Sequence, residues 1–130
     1  MGNIWRDGIM GVLVGDALGL PVQFLSREEI KKNPVVDMRG YGTFNMPEGT
    51  WSDDGSLTIA TLESILSKKS IDCEDIMENF ADWLVDGKFT PFGYAFDQGN
   101  TCTRAITKYI INGDIETCGI TGEWQTETEH

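Results

Sequence analysis

The sequence predicts an all-α fold on three grounds. Apolar residues recur at intervals of three and four over several long segments, which is the spacing that places them on one face of a helix. Several of these segments are flanked by residues that favour helix ends, such as Ser, Asp and Gly. No segment shows the alternation of apolar and polar residues that is typical of a half-buried strand. We therefore expect residues 1–130 to form a single α-helical domain, with residues 114–130 as an irregular tail.

Two helices are predicted in the N-terminal third of the chain. Apolar residues of the first recur at helical spacing from Ile4 onward, and Gly19 marks its end. A capping box formed by Ser26 and Glu29 predicts a short second helix that ends before Pro34. The segment that follows, RGYGTFNMPEGTW, predicts a loop that is placed either for turns or for close contact with a ligand.

Three further helices are predicted after this loop. Apolar residues at helical spacing define a long helix over residues 54–66. Asp72 is expected to cap the next helix, which ends at Gly87. After a loop rich in aromatic residues, the last helix spans residues 100–111 and ends before Gly113. The chain contains no internal repeat or linker that would divide these helices among several domains.

Composition and charge exclude several classes of function. A net charge of -11 without a basic cluster disfavours binding to a nucleic-acid backbone. No apolar run is long enough to span a membrane, and the N-terminus lacks the features of a secretory signal, so we expect a soluble cytoplasmic protein. The three cysteines form no C-x-x-C pair, which indicates neither a disulfide framework nor a zinc cluster. The only histidine is His130, so chemistry based on histidine has no candidate within the predicted helices.

Ser52, Asp53 and Asp54 form a polar run at the start of the third predicted helix, and two interpretations of it remain open. As a helix cap, the run would pair unsatisfied amides and complement the helix dipole, which stabilises a helix by about 1 kcal/mol. Alternatively, its carboxylates are half of a site for a hard cation such as Mg²⁺, which takes oxygen ligands from more than one segment.

Two further carboxylates are candidates for the second acidic segment of such a site. Asp16 lies within an apolar helix, where an unpaired charge would be expensive, and Asp97 precedes the last helix. For Asp16 the open interpretations are a structural hydrogen bond to a neighbouring loop and a residue that organises the site beside Gln23. For Asp97 the structural alternative is a helix cap.

Three motifs, GVLVGDALGLPVQF, GYGTFNMPEGTWSDDGSLTIA and FDQGNTCTRAI, resemble in their order and separation the ADP-ribosylglycohydrolase family, which includes the dinitrogenase reductase-activating glycohydrolase. The resemblance runs over residues 4–113 and corresponds to the N-terminal half of the family's domain. It implies an all-α orthogonal helix bundle, here truncated, that holds two Mg²⁺ ions. It also implies hydrolysis of the glycosidic bond at the anomeric carbon of ADP-ribose attached to a protein or a small molecule.

The resemblance assigns roles to residues of these motifs. Ser52, Asp53 and Asp54 would be metal ligands, and Asp54 and Asp97 would be the catalytic carboxylates. The substrate-binding residues that it implies are Gln23, Gly99, Asn100 and Thr101. The chemistry suits these residue types, because ribose hydroxyls can coordinate Mg²⁺ and carboxylates stabilise an oxocarbenium-like transition state.

Two departures from the family pattern bear on activity. Gln23 stands where many members carry a glutamate, and an amide cannot act as a base. The remaining metal ligands of the family come from a C-terminal segment resembling D-x-D-T, which this sequence does not contain. We therefore expect Mg²⁺ to be at most partly bound, and we expect this chain alone to be incomplete or inactive as a hydrolase.

Three interpretations of the function remain open on the sequence. The first is a hydrolase of this family that needs a complementing chain. The second is a non-catalytic module, a decoy or inhibitor, that binds an ADP-ribose-like nucleotide or a protein partner. The third is a small helical interaction domain in which every acid is a cap.

The resemblance to half of a larger domain also bears on association. A core cut in half would leave Leu62, Phe80 and Trp83 partly uncovered, so we expect a homo-oligomer or a complex with a complementing chain.

Overall fold

The computed structural model describes residues 2–119, in which the chain forms five α-helices and two short 3-10 turns. The helices are α1 (Ile4–Gly19), α2 (Arg27–Lys32), α3 (Asp53–Lys68), α4 (Cys73–Asp86) and α5 (Asn100–Asn112). The 3-10 turns are Leu20–Val22 and Gly42–Phe44. The only β-type pairing over this range is an isolated bridge between Tyr41 and Met46, so the all-α prediction is confirmed. Of the predicted irregular tail, residues 120–130 lie outside the described range.

The predicted helix ends agree with the structure to within two residues. In the capping box, the Ser26 side chain accepts the Glu29 N–H and the Glu29 side chain accepts the Ser26 N–H. The Asp72 side chain caps α4 by accepting the N–H of Asp75. Gly87 ends α4 in the left-handed conformation, with a φ of 72°. These ends are set by residues within one turn of the boundary, and local sequence is therefore enough to locate them.

The core is centred on α3, which packs against both α1 and α4, while α4 also packs against α5. The buried apolar side chains within residues 2–119 are Ala17, Leu20, Ala60, Trp83, Ile106, Tyr109 and Cys118. Two buried serines on α3 are small enough for neighbouring segments to approach closely, and the hydroxyl of each donates a hydrogen bond to one of those segments. Ser56 Oγ donates to the Phe89 carbonyl at 2.9 Å, and Ser64 Oγ donates to the Asp75 carboxylate at 2.6 Å.

The apolar face of α1 is less covered than its periodicity predicts. Ile4 and Trp5 are 79% and 80% exposed, and Ala17 is the only buried residue of this helix. Trp83, which was expected to be partly uncovered, is only 1% exposed because it fills the core, so that expectation is wrong. Among the described residues, no helix is both long and apolar enough to cross a bilayer.

The glycine-rich loop packs its backbone directly against the turn that follows α1. Gly42 has a φ of +60° and lies so close to the Pro21 carbonyl that a β-carbon would clash with it. Next to it, Thr43 Oγ1 donates a hydrogen bond of 2.6 Å to the Gln23 carbonyl. This loop therefore serves a close backbone contact, and it fixes the position of the segment that carries Gln23.

Candidate functional site

A polar cavity of about 390 Å³ lies where the starts of α3 and α5 meet the segment that follows α1. The residues that line it are Gln23, Asp53, Asp54, Asp97, Gln98, Gly99 and Asn100. Three of these residues carry a carboxylate, and none of them is a lysine, an arginine or a histidine. The fold thus brings acidic side chains from separate segments to one cavity.

Gln23 and Asp97 are linked by a hydrogen bond in the cavity wall. Gln23 Nε2 donates to Asp97 Oδ1 at 3.2 Å, although the two residues are 74 positions apart in sequence. Aromatic rings hold the two segments together, since the ring of Phe44 contacts those of Phe24 and Phe96 with centroid separations of 6.2 and 6.0 Å. Because Phe24 follows Gln23 and Phe96 precedes Asp97, these ring contacts position both polar side chains.

Asp97 is not the cap of α5. The N-cap position belongs to Gly99, and no side chain makes a capping hydrogen bond there. Asp97 itself has a φ of +53°, which is uncommon for a residue with a β-carbon and is tolerated best by Asn and Asp. The cap interpretation of Asp97 is therefore wrong, and its carboxylate lines the cavity instead.

The start of α3 is capped by a residue of another helix. Ser52 occupies the N-cap position, but its side chain makes no capping hydrogen bond. Asp16 of α1 takes this role, because its Oδ2 accepts the N–H groups of Ser52 at 2.8 Å and of Gly55 at 2.9 Å. Asp16 Oδ1 also accepts the hydroxyl hydrogen of Ser52 at 2.6 Å. The structural interpretation of Asp16 is confirmed, whereas that of Ser52 as a side-chain cap is wrong.

The electrostatics of the cavity favour a cation. Burial, with the charges of Asp54 and Asp97, raises the pKa of Asp53 to about 6. Burial also raises the pKa of Asp97, and the charges of Asp16 and Asp54 add to this effect while the hydrogen bond from Gln23 opposes it. Carboxylates that share a cavity repel one another, and a bound cation relieves that repulsion.

The donor chemistry of the cavity also fits a hard divalent cation. Asp53, Asp54 and Asp97 offer carboxylate oxygens, which Mg²⁺ and Ca²⁺ prefer over nitrogen or sulfur. Over residues 2–119, however, no three acidic, histidine or cysteine side chains form a ready metal-binding group. A cation in this cavity would need further oxygens from water, from a substrate or from another protein segment.

Most of the predicted site residues come together in the structure. Those that line the cavity are Gln23, Asp53, Asp54, Asp97, Gly99 and Asn100. Thr101 lies in the first turn of α5 and is not among the lining residues, and Ser52 is only 4% exposed. Gln98 also lines the cavity, although the sequence predicted no role for it; its place between Asp97 and Gly99 in FDQGN is the signal that could have indicated one. The chemical role of each of these residues stays a prediction.

An apolar groove of about 760 Å³ adjoins the cavity. Its apolar lining comes from α1, α3 and α4 and includes Trp5, Ile9, Leu57, Leu62, Ile65 and Phe80. Asp54 lines both the groove and the cavity, so the two surfaces meet at the start of α3. No other ionisable residue is among those lining the groove in the described part of the chain.

Comparison with known proteins shows what the chain is similar to. The family model for ADP-ribosylglycohydrolase matches residues 5–125. An ADP-ribosylarginine hydrolase of Serratia proteamaculans is 32% identical over 108 residues, which is 83% of this chain and 29% of that protein. The ADP-ribosyl-(dinitrogen reductase) glycohydrolase of Rhodospirillum rubrum is 37% identical over 106 residues, which is 80% of this chain and 34% of that protein. The matched region thus spans no more than 34% of the length of these relatives.

Proposed function

The chain belongs to the ADP-ribosylglycohydrolase family, and from this premise we propose that it forms the acidic part of a site that hydrolyses the glycosidic bond of ADP-ribose. The observation that carries this proposal is the convergence of Asp53, Asp54 and Asp97 on one cavity from two segments. The two relatives are named for ADP-ribosylarginine and for ADP-ribosyl-(dinitrogen reductase). An ADP-ribosyl group attached to a protein is therefore the substrate class that we propose.

Mg²⁺ is the cofactor that we propose, with Asp53 and Asp54 as ligands and Ser52 beside them. The proposal is supported by the oxygen chemistry of these residues and by the mutual repulsion of the carboxylates. When bound, a divalent cation would neutralise the carboxylates and supply positive charge that orients the ribose hydroxyls.

Asp54 and Asp97 are the carboxylates that we propose to contact the reacting sugar. Departure of the leaving group builds positive charge at the anomeric carbon, and a nearby carboxylate stabilises that charge. Gln23 holds Asp97 through its hydrogen bond of 3.2 Å, whereas a glutamate at this position would place a second negative charge beside it. The residues that we propose to line the path of ADP-ribose are Gly99, Asn100 and Thr101.

A non-catalytic binding module is the second candidate, and Gln23 is the observation that favours it. The amide cannot remove a proton from water, and it engages Asp97 in a hydrogen bond. The same acidic cavity would then bind an ADP-ribose-like nucleotide with its cation and release it unchanged. This candidate shares the binding step with the hydrolase and differs from it only in turnover.

Titration calorimetry with ADP-ribose, with and without Mg²⁺, tests the binding step that both candidates share. We expect binding that requires Mg²⁺ and that Asp54→Asn weakens by about tenfold or more. Asp86→Asn is the matched control, because Asp86 is an exposed acid at the end of α4 and does not line the cavity. Absence of binding in both conditions would contradict both candidates and favour an interaction domain in which the acids have no ligand.

A further inference from the structure

The Ser52 hydroxyl lies between two carboxylates and has a single hydrogen to donate. Its Oγ is 2.6 Å from Asp16 Oδ1 and 3.3 Å from Asp53 Oδ1. The first distance is typical of a hydroxyl bound to a charged oxygen, whereas the second is longer than the usual range for a hydroxyl donor. The hydrogen therefore belongs to the bond with Asp16.

This choice of acceptor leaves two lone-pair oxygens side by side. Asp53 Oδ1 already accepts the Asp54 N–H at 3.0 Å and lies 3.3 Å from Ser52 Oγ. With its hydrogen on Asp16, the Ser52 hydroxyl has only a lone pair to offer Asp53. Two such oxygens repel each other unless positive charge lies close to both. Asp16 is itself held firmly, because it also accepts the N–H groups of Ser52 and Gly55.

We propose that Asp16 is a positioning residue for the cation site: by holding the only hydrogen of the Ser52 hydroxyl, it makes Ser52 Oγ an acceptor oxygen beside Asp53. The inference rests on the proposed function, since the cation belongs to that proposal. Asp16 is not among the residues that line the cavity, so it acts through Ser52 and not by contact with a substrate.

Asp16→Asn separates this role from capping. The asparagine carbonyl can accept the same two amide N–H groups, so the cap of α3 is kept. Its NH₂ group would face Ser52 Oγ as a donor, and the Ser52 hydrogen would be released towards Asp53. Slow exchange of the Ser52 and Gly55 amides in this variant would show that the helix start is intact.

Proton NMR of the metal-free protein gives the first readout. We expect a slowly exchanging, downfield-shifted hydroxyl resonance in the unmodified protein, assigned by its loss in Ser52→Ala. In Asp16→Asn it should move upfield and exchange faster, because the hydrogen then turns to Asp53 Oδ1 at the longer distance of 3.3 Å. It should be kept in Ser52→Thr, which retains the hydroxyl. The comparison of the Ser52 variants does not depend on the folding of Asp16→Asn.

Mg²⁺ affinity gives the second readout through a double-mutant cycle. Asp16→Asn should weaken affinity about tenfold in the original background but less than about twofold in the Ser52→Ala background, because the effect passes through the hydroxyl. An equal loss in both backgrounds would show that the charge of Asp16 acts at a distance, and it would overturn the proposal.

The NMR result distinguishes a failure of this inference from a failure of the proposed function. A hydroxyl resonance that is missing from the unmodified protein, or that keeps its shift and its slow exchange in Asp16→Asn, would overturn the role of Asp16 whatever the metal affinity. If the resonance behaves as expected but the protein binds no Mg²⁺, the proposed function is contradicted and the assignment of the hydrogen to Asp16 is upheld.

Discussion

The acidic cavity and the apolar groove share Asp54 but are organised in opposite ways. Hydrogen bonds between distant segments hold the cavity in place: Gln23 donates to Asp97 in its wall, and Ser52 donates to Asp16 behind the start of α3. The groove contains apolar side chains that the described residues leave open, such as Trp5, which is 80% exposed. A ligand that enters the cavity meets polar groups that are already fixed in place, so little ordering is needed for binding. The apolar side chains of the groove, in contrast, would gain hydrophobic free energy only through contact with another surface.

This difference shows that α3 serves two surfaces with different requirements. Its N-terminus carries carboxylates that repel one another in the absence of a bound cation. Along its length it carries apolar side chains that line the groove. Repulsion among the carboxylates lowers the stability of the metal-free chain, which is typical of functional surfaces and is not expected of residues that serve the fold alone.

The largest expected effect is the loss of Mg²⁺ affinity in Asp53→Ala with Asp54→Ala. Removing both carboxylates should weaken binding by about a hundredfold, because two charged ligands are lost together. The free energy of unfolding should change by no more than about 1 kcal/mol. The variant loses the hydrogen bond from the Asp54 N–H to the Asp53 carboxylate, but it also loses the repulsion between the carboxylates of the cavity. Calorimetry and urea unfolding measure the two quantities.

Asp7→Ala is the matched control for this double variant. Asp7 is also an acid in the first turn of a helix, but it does not line the cavity. We expect its replacement to leave Mg²⁺ affinity unchanged. Unchanged affinity in the double variant as well would contradict the ligand role of the α3 carboxylates.

The next effect concerns the groove, for which we predict self-association that depends on Trp5. Trp5→Ser should raise the dissociation constant about tenfold, because an exposed aromatic ring contributes about 1 to 2 kcal/mol when it is buried in an interface. Val36→Ser is the control, since Val36 is 90% exposed and lies outside the groove. Sedimentation equilibrium over a range of concentrations measures the change.

Trp5→Ser also separates the groove from the cavity. Trp5→Ser should leave Mg²⁺ affinity unchanged, because Trp5 lines the groove and not the cavity. A strictly monomeric mass at high concentration would contradict self-association through the groove.

A smaller effect is expected in the pH dependence of stability of the metal-free protein. The pKa of Asp53 is about 6 in the fold against an ordinary value of 3.8, so the folded state holds the proton more tightly than the unfolded state. The contribution of Asp53 to the free energy of unfolding should therefore be largest below pH 4 and should fall as the pH rises to 6. The expected loss is about 1 to 2 kcal/mol, because partial exposure screens the charge.

Urea unfolding in EDTA between pH 4 and pH 7 measures this slope, and Asp53→Asn should flatten it. Asp114→Asn is the control, because hydrogen bonds from Thr117 and the Glu116 N–H lower the pKa of Asp114. The slope that Asp114 contributes has the opposite sign and lies below its ordinary pKa of 3.8, outside the measured range, so its replacement should leave the fall in stability in place. A slope that survives Asp53→Asn would mean that other carboxylates cause it.

The fold was more predictable from the sequence than the details of the site. Helix ends depend on neighbours within one turn, which is why the Ser26 capping box and the stop at Gly87 were located correctly. The bond between Asp16 and Ser52 joins residues 36 positions apart, and no local pattern encodes it. Periodicity also shows which residues share a helix face but not whether anything covers that face, so the exposure of Trp5 was missed.

The smallest expected effect is turnover: the isolated chain should release almost no ADP-ribose from a modified protein, even with Mg²⁺ supplied. The carboxylates of the cavity offer few oxygens to fix a cation, and a loosely held ion cannot orient water at the anomeric carbon. Gln23 offers no base in their place.

The turnover assay compares this chain alone with this chain plus a separately expressed C-terminal part of a relative. Turnover that appears only in the mixture, and that Trp5→Ser reduces, would link the groove to completion of the cavity. Robust turnover by the chain alone would contradict the prediction and would mean that a second copy or residues outside 2–119 supply the missing ligands.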